Sequence, residues 1–181
     1  MMDHSANTLR AAIKCLRDAV QPAVDPADPQ ANEQLRLTID FLEFLRTRLY
    51  DVHARHRYEL GHQIDVARVV LPEARLVSPR AAAELESALA VAALAHQDVE
   101  GHTDELRSAS LQLWARVRGV VRAAREAPTD VRERVAKAVL SGVGPLVELE
   151  SAWYVPFGFE PDPAAVPSLE TLLRPSSNVP T

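Results

Sequence analysis

The chain has 181 residues, of which 47% are hydrophobic and 25% are charged, a balance that fits one globular domain and excludes disorder along the whole length. Its net charge of −5 argues against general electrostatic binding to nucleic acid, because proteins that bind it in this way are typically basic. The one cysteine, Cys15, excludes an intramolecular disulfide and a cysteine-based metal site, and we interpret it as a core residue of a helix.

The predicted location of the chain is the cytoplasm. No segment approaches the roughly 20 consecutive apolar residues that a membrane-spanning helix needs, so we expect no membrane partner. The first residues, Met1-Met2-Asp3-His4, lack a basic region followed by an apolar run, and they therefore predict no secretory signal.

Helices are favoured over strands from the first residues onward, because the chain has 6 glycines and 5% aromatic residues. Apolar residues at helical spacing predict a helix over 5–20, and a turn-rich connector follows at 25–29. A long helix is predicted from about 29 to 71, a stretch that has Gly61 as its one glycine and no proline beyond its first residue. Its apolar residues fall on one stripe.

The second half of the chain begins with a proline-bracketed loop at 72–79. A second long helix is predicted from about 79 to 127, with Gly101 as a point where it bends. Shorter helices are predicted at 131–140 and 146–152. The fold class is therefore all-α, a helical bundle built on a long antiparallel hairpin with shorter flanking helices.

The last thirty residues differ in composition from the rest. Aromatic residues and prolines predict an irregular arm after the last bundle helix, and residues 175–181 are predicted to be a disordered tail. Residues 1–174 are predicted to form one domain. The arm is interpreted as a strap that completes the core of its own chain or as an arm that grips a second subunit, with a substrate lid as a third alternative. Its aromatic residues are Trp153, Tyr154, Phe157 and Phe159.

Three histidines interrupt the apolar stripes of the two long helices. His53 and His56 lie on the first stripe, and His96 lies on the second. If the loop at 72–79 closes an antiparallel hairpin, the three side chains converge inside the bundle. Glu100, one turn beyond His96, flanks the same region.

Such a cluster is compatible with several chemistries. Three histidines with one open position are typical of catalytic zinc, and two histidines with a carboxylate suit non-haem iron. Without a metal, the histidines would act as a general base or line a polar ligand pocket. The structural alternative is that they lie at the edge of the core and bond to Asp51, Asp98, Glu100 or the backbone. A di-iron site is rejected, because Glu59-Leu60-Gly61-His62 is the one Glu-x-x-His motif and His62 points away from the stripe.

A set of arginines on one side of the second long helix predicts a weak anion-binding surface. Arginine holds phosphate and carboxylate groups in a bidentate manner, so these residues would bind a phosphate, a nucleotide-containing cofactor or an acidic partner. The alternative is a solvated face whose arginines pair with acids of neighbouring helices. The residues are Arg107, Arg118, Arg122 and Arg125.

No nucleophile elbow, phosphate loop or dinucleotide-binding turn is present in the sequence. We therefore predict a non-enzymatic helical binding or accessory protein that acts on a protein or small ligand and forms a homodimer. The alternative is a small metal-dependent enzyme or metal-binding protein that holds zinc, iron or manganese at His53, His56 and His96. Whether the chain is an enzyme, and whether it has a cofactor, is left open by the sequence.

Overall fold

The computed structural model describes residues 4–174, and this range is built from helices without a strand. The predicted all-α class is confirmed. The described chain divides into two compact units, residues 4–52 and residues 53–174. The single domain predicted over 1–174 stays a prediction. The predicted disordered tail, 175–181, lies outside the described residues. The helices are α1 (His4–Cys15), α2 (Pro29–Arg48), α3 (Val52–Val77), α4 (Pro79–Gln97), α5 (Thr103–Ala123), α6 (Thr129–Gly142), α7 (Gly144–Tyr154) and α8 (Leu169–Leu173).

The first unit is a pair of helices, α1 and α2. The side chain of Asp28 accepts a hydrogen bond of 2.9 Å from the backbone N–H of Ala31, which caps the start of α2. Ile13 of α1 and Ile39 of α2 are buried, and an ion pair of 3.1 Å joins Arg17 to Glu43 of α2. The interpretation of Cys15 as a core residue is wrong, since its side chain is exposed at the end of α1.

The long helix predicted over 29–71 is two helices. Residues 49–51 form a turn in which the N–H of Asp51 donates to the carbonyl of Arg48 at 3.0 Å. Neither proline nor glycine marks this turn, and the apolar stripe continues across it. The sequence therefore contains no local signal for the break.

The predicted loop at 72–79 is reduced to one residue, Ser78. The helix α3 continues through Pro72 to Val77, and α4 begins directly after Ser78, whose side chain accepts a hydrogen bond of 3.3 Å from the N–H of Ala81. Proline commonly ends or kinks a helix because it lacks an N–H and crowds the preceding turn. In this chain the cap at Ser78 and the proline that follows it determine where α4 starts.

The second long helix, predicted over 79–127, is interrupted at 98–102, and the expected bend at Gly101 is a complete break. The side chain of Asp98 accepts a hydrogen bond of 3.0 Å from the N–H of Glu100, which stabilises a turn instead of a helix. His102 and Glu105 then form a reciprocal capping box at the start of α5.

The second unit, residues 53–174, has a continuous apolar core shared by α3, α4, α5 and α6. Among the packed pairs, α4 and α5 form the most extensive one, and both helices contribute buried alanines to the core. Gly142 of α6 lies against Val66 of α3, where an added Cβ would be 2.5 Å from Cγ2 of the valine. Burial of each large apolar side chain contributes roughly 1.5–3 kcal/mol. The largest fully buried side chains are Leu60, Leu85, Leu106, Leu113 and Leu149.

Within residues 4–174, no helix combines the length and the apolar character that crossing a bilayer requires.

Candidate functional site

The three histidines that we expected to converge each have a different neighbour in the structure. Nδ1 of His53 is hydrogen-bonded to Oγ1 of Thr103 at 3.0 Å, at the start of α5. Nδ1 of His56 is 3.1 Å from Oε2 of Glu59, one turn further along α3. His96 lies against Gly61, where an added Cβ would be 3.0 Å from its Nε2.

The length of the connection between α3 and α4 explains the difference. With one residue in the link instead of a loop, the facing positions of the two helices shift, and His96 meets Gly61, five residues beyond His56. A shift of five residues is about 7.5 Å along a helix axis, which is enough to separate the rings. The guanidinium of Arg57 fixes the same register by donating to the backbone carbonyls of His96 and Asp98, at 2.7 and 2.6 Å.

The predicted metal ligands do not form a metal site. Across residues 4–174 there is no group of three or more His, Cys, Asp or Glu side chains placed to hold an ion. Glu100 is exposed in the turn between α4 and α5. His53 and His56 instead match the structural alternative, in which hydrogen bonds hold them at the edge of the core, although their partners are Thr103 and Glu59.

A polar cluster that the sequence did not reveal is centred on Arg55. Its guanidinium donates to Oε1 of Glu59 and to Oε1 of Glu150, each at 2.7 Å, and so joins α3 to α7. The same group lies over the ring of Trp153, 4.4 Å from its centroid. Arg55 and Glu59 are largely buried, so their interaction is screened less by water than that of a surface pair.

Glu59 remains ionised in this cluster. Burial by itself would raise the pKa of its carboxyl group, but hydrogen bonds from His56 and Arg55, together with their charges, lower the pKa below its ordinary value. The carboxylate accepts from Arg55 through one oxygen and from His56 through the other. Glu59 is therefore a fixed negative charge at the edge of the core.

Next to this cluster is an open cleft of about 390 Å³ between α3, α5 and α7. Its volume lies within the range of small-molecule sites in proteins. One side of the cleft is apolar and the other is polar. The apolar lining consists of Trp114, Val143, Leu146 and Val147, and the polar lining consists of Glu59, Gln63, Glu150 and Ser151.

Gln63 gives the cleft its most specific feature. Its side-chain oxygen Oε1 is buried and accepts no hydrogen bond within the described structure. A buried acceptor without a partner costs about 1–3 kcal/mol, and nearly all such groups in native proteins are satisfied by protein, water or ligand. Gln63 lines the cleft, so a rotation of its side chain would bring this acceptor to a donor that enters the cleft.

The predicted irregular arm begins inside a helix, because α7 extends to Tyr154. Trp153 is 6% exposed and lies beneath the guanidinium of Arg55. The strap, dimer-arm and lid interpretations stay predictions. Beyond it, the rings of Tyr154, Phe157 and Phe159 follow one another with centroids 6.3 and 5.9 Å apart. Phe159 at the end of this series is 79% exposed.

The four arginines of the predicted anion-binding surface all lie on the solvent side of the second unit. None of them forms an ion pair with an acid in the described range, whereas the neighbouring Arg116 pairs with Glu84 at 3.0 Å. The alternative of a face neutralised by neighbouring helices is therefore not what the structure has. Anion binding by Arg107, Arg118, Arg122 and Arg125 stays a prediction.

Sequence reasoning missed Arg55, Gln63 and Glu150. The spacing of Arg55 and Glu59, four residues apart on a helix, was a usable signal for a local ion pair. Glu150 is 95 residues from Arg55, so no local pattern connects them. Comparison of the chain with protein-family models, with curated protein sequences and with solved structures finds no match.

Proposed function

We propose that this chain is a non-enzymatic binding protein and that its second unit holds a small amphipathic ammonium ligand in the cleft between α3, α5 and α7. The observation that carries the proposal is Gln63, which lines that cleft and whose side-chain Oε1 is buried without a hydrogen-bond partner in the described structure. After a rotation of this side chain, an N–H donor on the ligand would bond to the oxygen and remove the free-energy cost of an unsatisfied acceptor.

The charge of the lining favours a cation over an anion. Glu59 and Glu150 both line the cleft, and no lysine, arginine or histidine is among its lining residues, so the charges that a ligand meets there are negative. Trp114 offers an indole ring to the apolar part of the ligand. An ammonium group on a short aromatic or aliphatic chain combines a positive charge with an apolar part.

The lining also supports binding in preference to catalysis. The carboxylate oxygens of Glu59 already accept hydrogen bonds from Arg55 and His56, so Glu59 is held as a positioning group. Ser151 also lines the cleft, but no histidine is among the lining residues to activate its hydroxyl. We retain the cytoplasm as the proposed compartment, since the single cysteine allows no intramolecular disulfide.

Titration calorimetry with 2-phenylethylammonium as the probe tests this function, with 3-phenylpropionate as the anion of similar shape. We expect heat of binding for the ammonium and none for the anion. The change Gln63→Leu should weaken binding by roughly tenfold to a hundredfold, because it removes a hydrogen-bond acceptor. The matched control is Gln112→Leu, at an exposed glutamine of α5, which should leave binding unchanged.

A stability measurement separates a ligand from a buried water molecule as the natural partner of Gln63. If the acceptor is kept for a ligand, Gln63→Leu should raise the Tm of the free protein while binding is lost. A lower Tm combined with undiminished binding of the probe would show that water satisfies Gln63, and the proposal would fail. Equal binding of ammonium and anion would also contradict it.

A further inference from the structure

The helix α2 has a second apolar face that is not covered by α1. Leu37, Phe41 and Leu45 follow one another at intervals of four residues and therefore lie on one side of the helix. Their exposed fractions are 45%, 51% and 37%, and the ring of Phe44 stacks beside Phe41 with centroids 6.5 Å apart. This set of three side chains is called the α2 stripe below.

The buried residue Ile39 lies on the other side of the same helix. It is two residues from both Leu37 and Phe41, which places it about 200° around the axis from each. Apolar residues on two opposite sides are typical of a helix with neighbours on both sides. In the first unit, α1 is the packed partner of α2.

The first unit buries few side chains of its own. Ile13, Ile39 and Phe44 are its buried hydrophobic residues within residues 4–52. Two helices with so small a core bury too little surface for independent stability, because the fraction of surface buried falls with size. A third or fourth helix on the α2 stripe would complete a core.

The α2 stripe has the symmetry that a second copy of this chain requires. A twofold axis brings the same patch of two subunits together, so that the patch must be complementary to itself. With two α2 helices antiparallel and Phe41 on the axis, each Phe41 meets the other, and each Leu37 meets a Leu45. The sequence Leu-x-x-x-Phe-x-x-x-Leu reads the same in both directions.

The charges near the stripe do not oppose this arrangement. Arg36 is paired with Glu33 at 2.7 Å and with Asp40 at 2.8 Å, and Glu43 is paired with Arg46 at 2.9 Å. Like charges that are already neutralised within each helix repel a second copy only weakly. We propose that two copies of the chain associate through the α2 stripe as an antiparallel, twofold pair, in which the two α1–α2 hairpins form a four-helix bundle.

Sedimentation equilibrium of the full chain tests the association. The expected result is a dimer, which Phe41→Asp weakens by about 100-fold because it places a charge at the centre of the apolar interface. The matched control is Leu76→Asp, at an exposed leucine of α3, and it should leave the dimer intact. A monomeric wild-type protein, or a dimer that Phe41→Asp leaves unchanged, would overturn the proposal.

Cysteine crosslinking tests the direction of the pair without disturbing the fold. In a Cys15→Ser background, Phe41→Cys should form a covalent dimer on oxidation. Leu37→Cys alone and Leu45→Cys alone should not, because eight helical residues separate each from its own copy by about 12 Å. A mixture of the two should crosslink. A covalent dimer of Leu37→Cys by itself would show parallel helices and overturn the twofold antiparallel arrangement.

Discussion

In residues 53–174, the leucines at the centres of α3, α4, α5 and α7 are fully buried, whereas the three side chains of the α2 stripe in residues 4–52 are in contact with solvent. Both regions are helical and have similar proportions of apolar residues. They differ in how many helices share one core. Several helices around one core can hold a cleft with a defined lining. A pair of helices needs a further surface to bury its apolar side chains.

The largest effect is expected in the core of the second unit. Leu113→Ala should lower the free energy of unfolding by about 3–5 kcal/mol, because it removes a fully buried side chain and leaves a cavity. The measurement is urea unfolding followed by circular dichroism. The matched control is Leu111→Ala on the same helix, at a leucine that is 60% exposed, with an expected change within about 0.5 kcal/mol. Equal losses for the two variants would show that residues 53–174 lack a fixed core.

A smaller and local effect is expected in the first unit. Ile39→Ala should lower the stability of α1 and α2 by about 2 kcal/mol, which corresponds to roughly 30-fold faster amide hydrogen exchange in these helices. The amides of α5 serve as the internal control and should keep their exchange rates. If the amides of α5 exchanged faster by the same factor, the two units would unfold together. The contrast between a stable and a less stable unit would then be wrong.

The smallest effect concerns the polar cluster. The pKa of Glu59 is lower in the folded chain than its ordinary value of 4.5, so its interactions contribute stability above that pH and lose it as the pH falls through the folded pKa. Glu59→Gln should therefore destabilise the protein by about 1.5 kcal/mol at pH 7 and by less at pH 3. Urea unfolding at both values tests this. Glu133→Gln, at an exposed glutamate of α6, should show no such difference; an equal loss at both values for Glu59→Gln would argue against an ionised Glu59.

Composition and periodicity were sufficient to predict the all-α class, since few glycines and helical spacing of apolar residues favour helices along most of the chain. They did not predict the helix ends. The turn at 49–51 contains no proline or glycine, and Pro72 lies inside a helix, where a proline usually marks an end. The predicted helix boundaries therefore followed the prolines and glycines of the sequence. The actual boundaries follow packing and capping.

The error in the helix ends carried over to the candidate site. The predicted convergence of His53, His56 and His96 depended on an eight-residue loop between two helices. Because the actual link is the single residue Ser78, the facing positions differ and His96 lies against Gly61. The cleft could not be predicted from the sequence for a different reason. Gln63 looks like an ordinary helical glutamine in the sequence, and only the packing of α5 and α7 around it makes its oxygen a buried acceptor.

The contact between Gly61 and His96 links two positions that are far apart in the chain. Glycine inside a helix costs roughly 1 kcal/mol relative to alanine, and a Cβ at position 61 would lie 3.0 Å from Nε2 of the imidazole. The side chain at each of these two positions thus limits the size of the side chain that fits at the other. In proteins descended from a common ancestor with this chain, the two positions should covary: alanine or serine at 61 should accompany a smaller side chain at 96, and a retained histidine should accompany glycine.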